Sequence, residues 1–415
     1  MDIYIKNQNK VIKNFIRLCV ILNIIIGSHV LSGIISLYGY GLFNILKLIV
    51  LILTYMISLI LLGCISFNKN KTIMSNNSSI FIFLIVFIII NFLGSTNISV
   101  SLKGILFLIC DIVMCISLIK FLNDREIFNL ILSAFIIVFL INIIFTFLFP
   151  EIALSTRDIR YEFSYMGSFP QKNILGTFLA LFCIQIFIKF INTKKRKKPY
   201  WLMLMIIAII TLFITNSMTS LLCFLITIFI IIVSHKRRKN INTIKIGIFI
   251  NIMFFLLLSN LSIVASFLKA INRDPSLSGR IDIWQTLFEV IKNRLYFGYG
   301  FENLWDNISF VNYIQNRVGF KFIGSHSGVI EILLQVGFIG LTLICIVLLL
   351  IPLFKIKKYK YKMDEMSLLM HSYYIYFLLY AITERVFISS DFQTFLLILF
   401  AIYLNSEKLS VVKKN

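Results

Sequence analysis

The stretch "KNILGTFLALFCIQIFIKFINTKKRKKPYWLMLMIIAIITLFIT", residues 172–215, contains the pattern that decides the fold. Two apolar runs, 172–191 and 199–215, flank the basic cluster Lys194–Lys198. The hydrocarbon core of a bilayer is about 30 Å thick, and a helix needs roughly 20 residues to cross it. Each run therefore predicts a membrane-spanning helix, and the basic cluster predicts a cytoplasmic loop between them.

The same alternation runs through the whole chain of 415 residues, which is 59% hydrophobic. Its mean hydropathy is +0.93, and soluble domains contain only about 45–50% apolar residues. No linker rich in Pro, Gly or Ser divides the chain, so we expect one integral membrane domain over residues 1–415. We predict an all-α, polytopic membrane protein with about twelve transmembrane helices. The predicted spans are 15–35, 42–63, 79–95, 103–122, 128–149, 172–191, 199–215, 217–234, 244–268, 328–354, 367–383 and 392–405.

The net charge of +22 is concentrated in the connections between spans. Under a twelve-span count every basic cluster falls on the same side, which the positive-inside rule makes cytoplasmic. The prediction is a multi-pass membrane protein with both termini inside. The basic residues form no stripe interleaved with aromatic residues, so a nucleic-acid partner is not expected. Membrane lipids with anionic headgroups are the expected partners of these clusters.

Two predicted external connections are long, 150–171 and 269–327, and loops of such length are usually functional or disordered. The first contains Arg157, Arg160 and Lys172. Cations on the external side oppose the positive-inside bias, so their presence needs a reason. A bound anion is one reason, and pairing with the two acidic residues of the same loop is the other.

The second long loop contains an amphipathic pattern in "GRIDIWQTLFEVIKNRLYFGYG", residues 279–300. At helical spacing the apolar face comprises Trp284, Leu287, Phe288, Ile291 and Leu295, and the opposite face comprises Asp282, Gln285, Glu289 and Lys292. This pattern predicts a helix that lies along the membrane surface and ends at Gly298 and Gly300.

Arg280 falls at the start of that helix, where the macrodipole opposes a cation. A guanidinium and free N–H groups at a helix start favour a pyrophosphate-sized anion. The alternative is an arginine that reaches the lipid headgroups.

His326 is the only one of the four histidines that the span prediction places in an external loop. Imidazole titrates near neutral pH and is therefore suited to proton transfer, although an interfacial histidine without a catalytic role fits as well. In the following span Glu331 is an ionisable group at membrane depth, which makes it a supporting candidate alongside a role in helix packing. The small residues Gly337 and Gly340 indicate that this span packs closely against another helix.

Three stretches together resemble, in order, the motifs of the bacterial O-antigen ligase and polysaccharide polymerase superfamily. They are "GSFPQKNILG" at 167–176, "GRIDIW" at 279–284 followed by "FGYG" at 297–300, and "HSGVIEILLQVGFIGL" at 326–341. The resemblance extends over residues 150–345. It implies a C-type glycosyltransferase fold and a polyprenyl-pyrophosphate glycan as donor at the outer face of the bacterial plasma membrane. It implies neither a nucleotide sugar, nor a metal, nor another cofactor.

The resemblance also implies residue roles. His326 is similar to the family histidine and Arg280 to the arginine before the loop helix, so both are expected to be catalytic. Arg160 is similar to the arginine upstream of the family's Gly-Phe-Asn motif, with Arg157 as the alternative because the spacing to the motif is loose. With Lys172 these arginines are expected to bind the donor pyrophosphate. Glu331 and Asn173 are expected to support the site, and Ser327 departs from the family, which often has Asn there.

The chemistry agrees with these residues, because arginines stabilise a pyrophosphate leaving group and a histidine accepts the proton of an attacking sugar hydroxyl. The predicted function is a surface polysaccharide polymerase that joins lipid-linked repeat units. A ligase that transfers glycan to a lipid or protein acceptor is the alternative within the class. A transporter or lipid-linked glycan flippase is the alternative of another class, although no internal repeat typical of carriers is visible. Expected partners are the polyprenyl-pyrophosphate-linked glycan, an acceptor glycan or lipid, a chain-length regulator and a flippase.

Overall fold

A computed structural model provides the structure of the chain, and all regular elements in its described residues are helical. Those residues are 2–38, 49, 56, 78–154, 165–237, 279–322, 324–351, 364–387 and 391–405. The helices are α1 (Asp2–Gly27), α2 (Ser32–Tyr38), α3 (Ser78–Gly94), α4 (Ile98–Phe121), α5 (Asp124–Leu148), α6 (Pro150–Ala153), α7 (Lys172–Asn192), α8 (Lys198–Ile214), α9 (Met218–Arg237), α10 (Arg280–Asn293), α11 (Ile308–Val318), α12 (Gly328–Ile344), α13 (Glu365–Tyr380) and α14 (Phe392–Asn405).

Five helical segments of the described residues are long and apolar enough to cross a membrane. They are Ile98–Phe121, Asp124–Leu148, Lys172–Asn192, Lys195–Ile214 and Gly328–Leu348. Shorter apolar helices cover Ile80–Gly94, Met218–Val233 and Phe392–Leu404. The prediction of an all-helical fold is therefore confirmed for the described residues, and the count of about twelve membrane helices stays a prediction. Of the predicted spans, 42–63 and 244–268 lie outside the described residues except for the helical positions 49 and 56.

The prediction of a single first span over 15–35 is wrong. Helix α1 begins at Asp2 and ends at Gly27, and the chain then turns through His29, which has a φ of 60°, before α2 starts. The carbonyl of Ser168 accepts hydrogen bonds from the Gly33 N–H at 2.8 Å and the Ser32 hydroxyl at 2.9 Å. These tertiary contacts stabilise the turn, and hydropathy does not reveal it because both sides are apolar.

Ion pairs mark one end of the helical bundle. Arg17 of α1 donates to Glu126 at the start of α5 at 2.7 Å, and Lys189 near the end of α7 donates to Glu365 at the start of α13 at 3.3 Å. Helices α7 and α13 therefore run in opposite directions, because Asn173 at the start of α7 contacts Glu384 after the end of α13. The basic connection Lys194–Lys198 follows α7 and lies at this end, whereas the connections with the candidate site residues lie at the opposite end.

The predicted amphipathic helix is present as α10, and its four polar residues are exposed. Its apolar side does not face outward, because Trp284, Leu287 and Ile291 are buried in a hydrophobic cluster with α11 and α12. The expectation that the apolar side of α10 lies on the membrane surface is therefore wrong for Trp284, Leu287 and Ile291. The other two residues of that side, Phe288 and Leu295, are exposed. The helix ends at Asn293, before the two predicted terminal glycines.

Helix α11 was not predicted from the sequence. Its start and end follow ordinary local rules, since the Asn307 side chain accepts the N–H of Phe310 and Gly319 ends the helix with a φ of 85°. Its Ile314 completes the cluster under α10. The described part of the second long loop, residues 279–322, therefore contains two helices that pack on one another and on α12.

Helix α12 is broken at Gly337, which has a φ of 65° and a ψ of −169°. Residues 295–300, which we call the strap, pair with the backbone on both sides of the break. The bonds run from Tyr299 N to Leu334 O (2.9 Å), from Gly300 N to Gln335 O (2.8 Å), from Phe338 N to Leu295 O (2.8 Å) and from Ile339 N to Tyr296 O (3.2 Å). The strap therefore satisfies backbone groups that the break removes from the helix ladder.

The close approach of strap and helix explains the glycines of both motifs. A Cβ at Gly337 would stand 2.3 Å from the carbonyl oxygen of Tyr296, and a Cβ at Gly298 would stand 2.6 Å from the carbonyl carbon of Gln335. The prediction of close helix packing is therefore wrong at Gly337, because the strap and not another helix occupies the space beside this glycine. By contrast, the atoms nearest to a Cβ at Gly340 belong to Val336 of the same helix.

The Gly337→Ala substitution should destabilise the protein by about 3 kcal/mol, because a left-handed backbone and a backbone clash add to one another. Gly319→Ala is the matched control, since its φ is also positive but no atom lies within 4 Å of the added Cβ. The control should lose only about 1 kcal/mol. Thermal unfolding of the two detergent-solubilised variants measures the difference. Equal losses would contradict the tight strap.

Candidate active site

A buried carboxylate joins the predicted site residues. Glu384 lies in the connection between α13 and α14, and its side chain is 8% exposed. Its Oε1 accepts a hydrogen bond from Arg280 Nη2 at 2.5 Å and one from Asn173 Nδ2 at 2.9 Å. Its Oε2 lies 3.6 Å from His326 Nδ1, an ion-pair distance longer than a hydrogen bond. Three predicted residues from distant parts of the chain therefore meet at one acidic group.

The charges around Glu384 keep it ionised. Burial by itself raises the pKa of this carboxyl, but the contact with His326 and the positive charges of Arg280 and Arg385 lower it more strongly. The pKa of Glu384 consequently lies below its ordinary value. A carboxylate that is ionised and out of water requires such partners, so the site is held together by charge as well as by packing.

His326 sits in the turn "GSHSG", residues 324–328, with a φ of 50°. Such a left-handed conformation is uncommon for a residue other than glycine, and the surrounding contacts impose it. The Trp284 indole of α10 donates to the Ser325 carbonyl at 2.9 Å, and the Gly328 N–H donates to the Ala381 carbonyl at 2.7 Å. The imidazole is 27% exposed. Its ring is thus fixed in direction and open to a substrate.

Glu331, the predicted supporting residue, is fully buried in the first turn of α12. It accepts hydrogen bonds from the Trp305 indole at 2.7 Å, the Gln335 amide at 3.0 Å and the Ser325 N–H at 3.1 Å. One of the three donors, the Ser325 N–H, belongs to the His326 turn, and Gln335 is also bonded to the strap through its carbonyl. Glu331 therefore links the turn to Trp305 and to α12, and its role in supporting catalysis stays a prediction.

The start of α7 brings Asn173 to the site. The preceding segment is buried, and the Ser168 N–H donates to Asn142 Oδ1 of α5 at 3.0 Å. Asn173 in turn accepts the Ser217 hydroxyl at 3.2 Å from the α8–α9 turn. Lys172 is the first residue of α7, next to Asn173. Its role in pyrophosphate binding stays a prediction.

Arg157 and Arg160 lie outside the described residues, so their predicted roles are unchanged. Glu384 and its neighbour Arg385 were missed by the sequence reasoning. The available signal was the ionisable pair in "ITERVF", residues 382–387, between the last two apolar runs. Under the span count this connection is external, where a cation needs an explanation.

Residues 203–345 match the family model for O-antigen ligase. The match covers 143 of the 415 residues. The matched segment includes Arg280, the strap and His326, so the resemblance of the motifs at 279–300 and 326–341 is confirmed. Asn173 precedes the matched segment and Glu384 follows it. No curated protein matches the chain.

Glu384→Gln tests the charge balance of the site. Because the folded-state pKa is lowered, the carboxylate contributes stability above its unfolded pKa of about 4.3, and this contribution is lost as the pH falls through the folded pKa. The variant should therefore be less stable than the wild type by about 2 kcal/mol at pH 7. The difference should shrink toward zero in acid. Thermal unfolding across this pH range measures it.

Glu289→Gln is the control for this experiment. Its partner is Arg317, and the side chains of the pair are 57% and 46% exposed, so solvent screens the interaction. The control should differ little from the wild type at any pH. A stability difference for Glu384→Gln that grows on acidification would contradict the lowered pKa.

Proposed function

We propose that the protein is a glycosyltransferase of the C type that extends a surface polysaccharide by joining lipid-linked repeat units. The observation that carries the proposal is the meeting of Arg280, His326 and Glu384 at the edge of an O-antigen ligase domain. The domain match supports a polymerase or ligase type of function. We propose the polymerase role, the lipid-linked donor and the reaction in addition.

The donor in this proposal is a glycan on polyprenyl pyrophosphate. Cleavage of the bond between the anomeric carbon and the pyrophosphate leaves negative charge on the departing group. Arg280 supplies one guanidinium at the site, and the first-loop cations Arg157, Arg160 and Lys172 supply further charge. Pyrophosphate is a good leaving group once it is stabilised in this way. The reaction then needs neither a nucleotide sugar nor a metal ion.

His326 is the proposed base for the acceptor. Its Nδ1 faces the Glu384 carboxylate, which leaves Nε2 for the sugar hydroxyl. The hydroxyl oxygen attacks the anomeric carbon, the bond to pyrophosphate breaks, and the hydroxyl proton passes to Nε2. Glu384 stabilises the imidazolium that forms, because it is ionised and fixed by Arg280 and Asn173.

The position of the site supports catalysis at the outer face. The site lies at the end of the bundle opposite the basic connection Lys194–Lys198. The positive-inside rule assigns that connection to the cytoplasm. The site would then face the periplasm or the cell exterior, where flipped lipid-linked glycan is available.

His326→Ala and Arg280→Ala should each abolish glycan elongation in cells while membrane insertion stays intact, and Arg280→Ala should also lower stability because the buried Glu384 loses its partner. The first change removes the base, and the second removes the cation that faces the leaving group and Glu384. Arg317→Ala is the control, because this arginine pairs with Glu289 at the surface of the same loop region. Gel analysis of surface glycan measures the outcome. Normal long-chain glycan in both site variants would refute the assignment.

Deletion of the gene separates polymerase from ligase. Loss of a polymerase should leave glycan with a single repeat unit, because attachment continues without elongation. Loss of a ligase should instead leave long chains that are not attached to their acceptor. Glycan that is unchanged in length and attachment but retained on the inner leaflet would point to a flippase and contradict the proposal.

A further inference from the structure

We propose that Arg385 is a second guanidinium that binds the pyrophosphate of the lipid-linked donor. This inference rests on the proposed function and extends it to a residue that lies outside the matched domain.

Arg385 packs directly on the turn that carries His326. A Cβ at Gly324 would stand 2.3 Å from the Arg385 Nε and 2.5 Å from its Cζ. Only glycine leaves room for the guanidinium at this point, and Gly324 adopts a φ of 98° there. The guanidinium consequently lies against the backbone two residues before the proposed base. Arg385 is only partly buried, so solvent or a ligand reaches it.

The ion pairs of the site leave the Arg385 guanidinium available to an anion. Arg280 is already paired with Glu384, whereas Arg385 belongs to none of the ion pairs within 4.0 Å among the described residues. Its charge acts on Glu384 and on Asp391, the residue before α14. Burial raises the pKa of Asp391 to about 7, so this carboxyl carries only part of a charge at neutral pH. Glu302 also acts on Asp391, so the two guanidinium groups are accompanied by the ionised Glu384 and two further acidic residues, and Arg385 is the cation with no carboxylate oxygen within 4.0 Å among the described residues.

A pyrophosphate fits this arrangement better than a single carboxylate ligand. It presents two phosphate groups, and guanidinium binds phosphate through paired N–H donors in a fixed plane. During transfer the leaving group and the acceptor hydroxyl are on opposite sides of one anomeric carbon. The cations that bind the leaving group must therefore lie within a few ångströms of the base. Arg280 lies near the base because it donates to Glu384, which faces His326. Arg385 lies near the base because it packs against Gly324, two residues before His326.

The test uses the purified full-length protein with a polyprenyl-pyrophosphate oligosaccharide as donor. Initial rates are measured against donor and against acceptor, with polyprenyl pyrophosphate as product inhibitor. Arg385→Gln should raise the KM for the donor about tenfold and weaken product inhibition by a similar factor, because a charge-assisted contact is lost. Arg385→Lys should recover part of both effects. The acceptor KM should not change.

Arg317→Gln is the matched control, a neutralised arginine in the second long loop that should leave all constants unchanged. If Arg385→Gln lowers kcat while the donor KM and product inhibition stay normal, Arg385 merely supports the His326 turn and the inference is wrong. That result would leave the proposed function intact, because the wild type is active in the same assay. A wild type that is inactive with this donor would overturn both. If Arg385→Gln does not fold, unchanged donor KM and inhibition in Arg385→Lys would likewise count against a bidentate guanidinium contact.

Discussion

The interaction on which the site depends is the ion pair between Arg280 and Glu384. A carboxylate removed from water is stable only when charges and hydrogen-bond donors compensate it. Arg280 and Asn173 both donate to the same oxygen of Glu384, and His326 faces the other oxygen. Four segments far apart in the chain are thereby fixed relative to one another. The same contacts leave His326 partly exposed.

The second long loop and α12 behave as one packed unit that positions two of these residues. Arg280 begins α10, whose far end continues into the strap, and the strap is bonded across the break at Gly337. His326 precedes the same α12, and its turn is bonded to Trp284 of α10. A substitution at Gly337 would therefore shift the backbone that positions Arg280 and His326. This explains why glycines distant from the chemistry occur in the same motifs as the site residues.

Much of this organisation could be predicted from the sequence, and the failures have particular causes. Hydropathy located most helices but placed a single span over 15–35, because tertiary hydrogen bonds to Ser168 hold a turn between two apolar segments. Periodicity located α10 but could not reveal that Trp284 faces α11 and α12 rather than lipid, since both environments are apolar. Glu384 was missed because a single acidic residue between spans has no periodic signal.

The sequence by itself determined the membrane class, the alternation of helices and basic connections, and the candidates Arg280 and His326. These features follow from composition, from spacing along the chain, or from motifs that are contiguous. Only the tertiary structure decided that Arg280, Asn173 and His326 share one buried carboxylate, and that Arg385 packs against Gly324. The physical reason is that these contacts join residues up to 211 positions apart, and their energies depend on burial and distance, which exist only once the helices have packed.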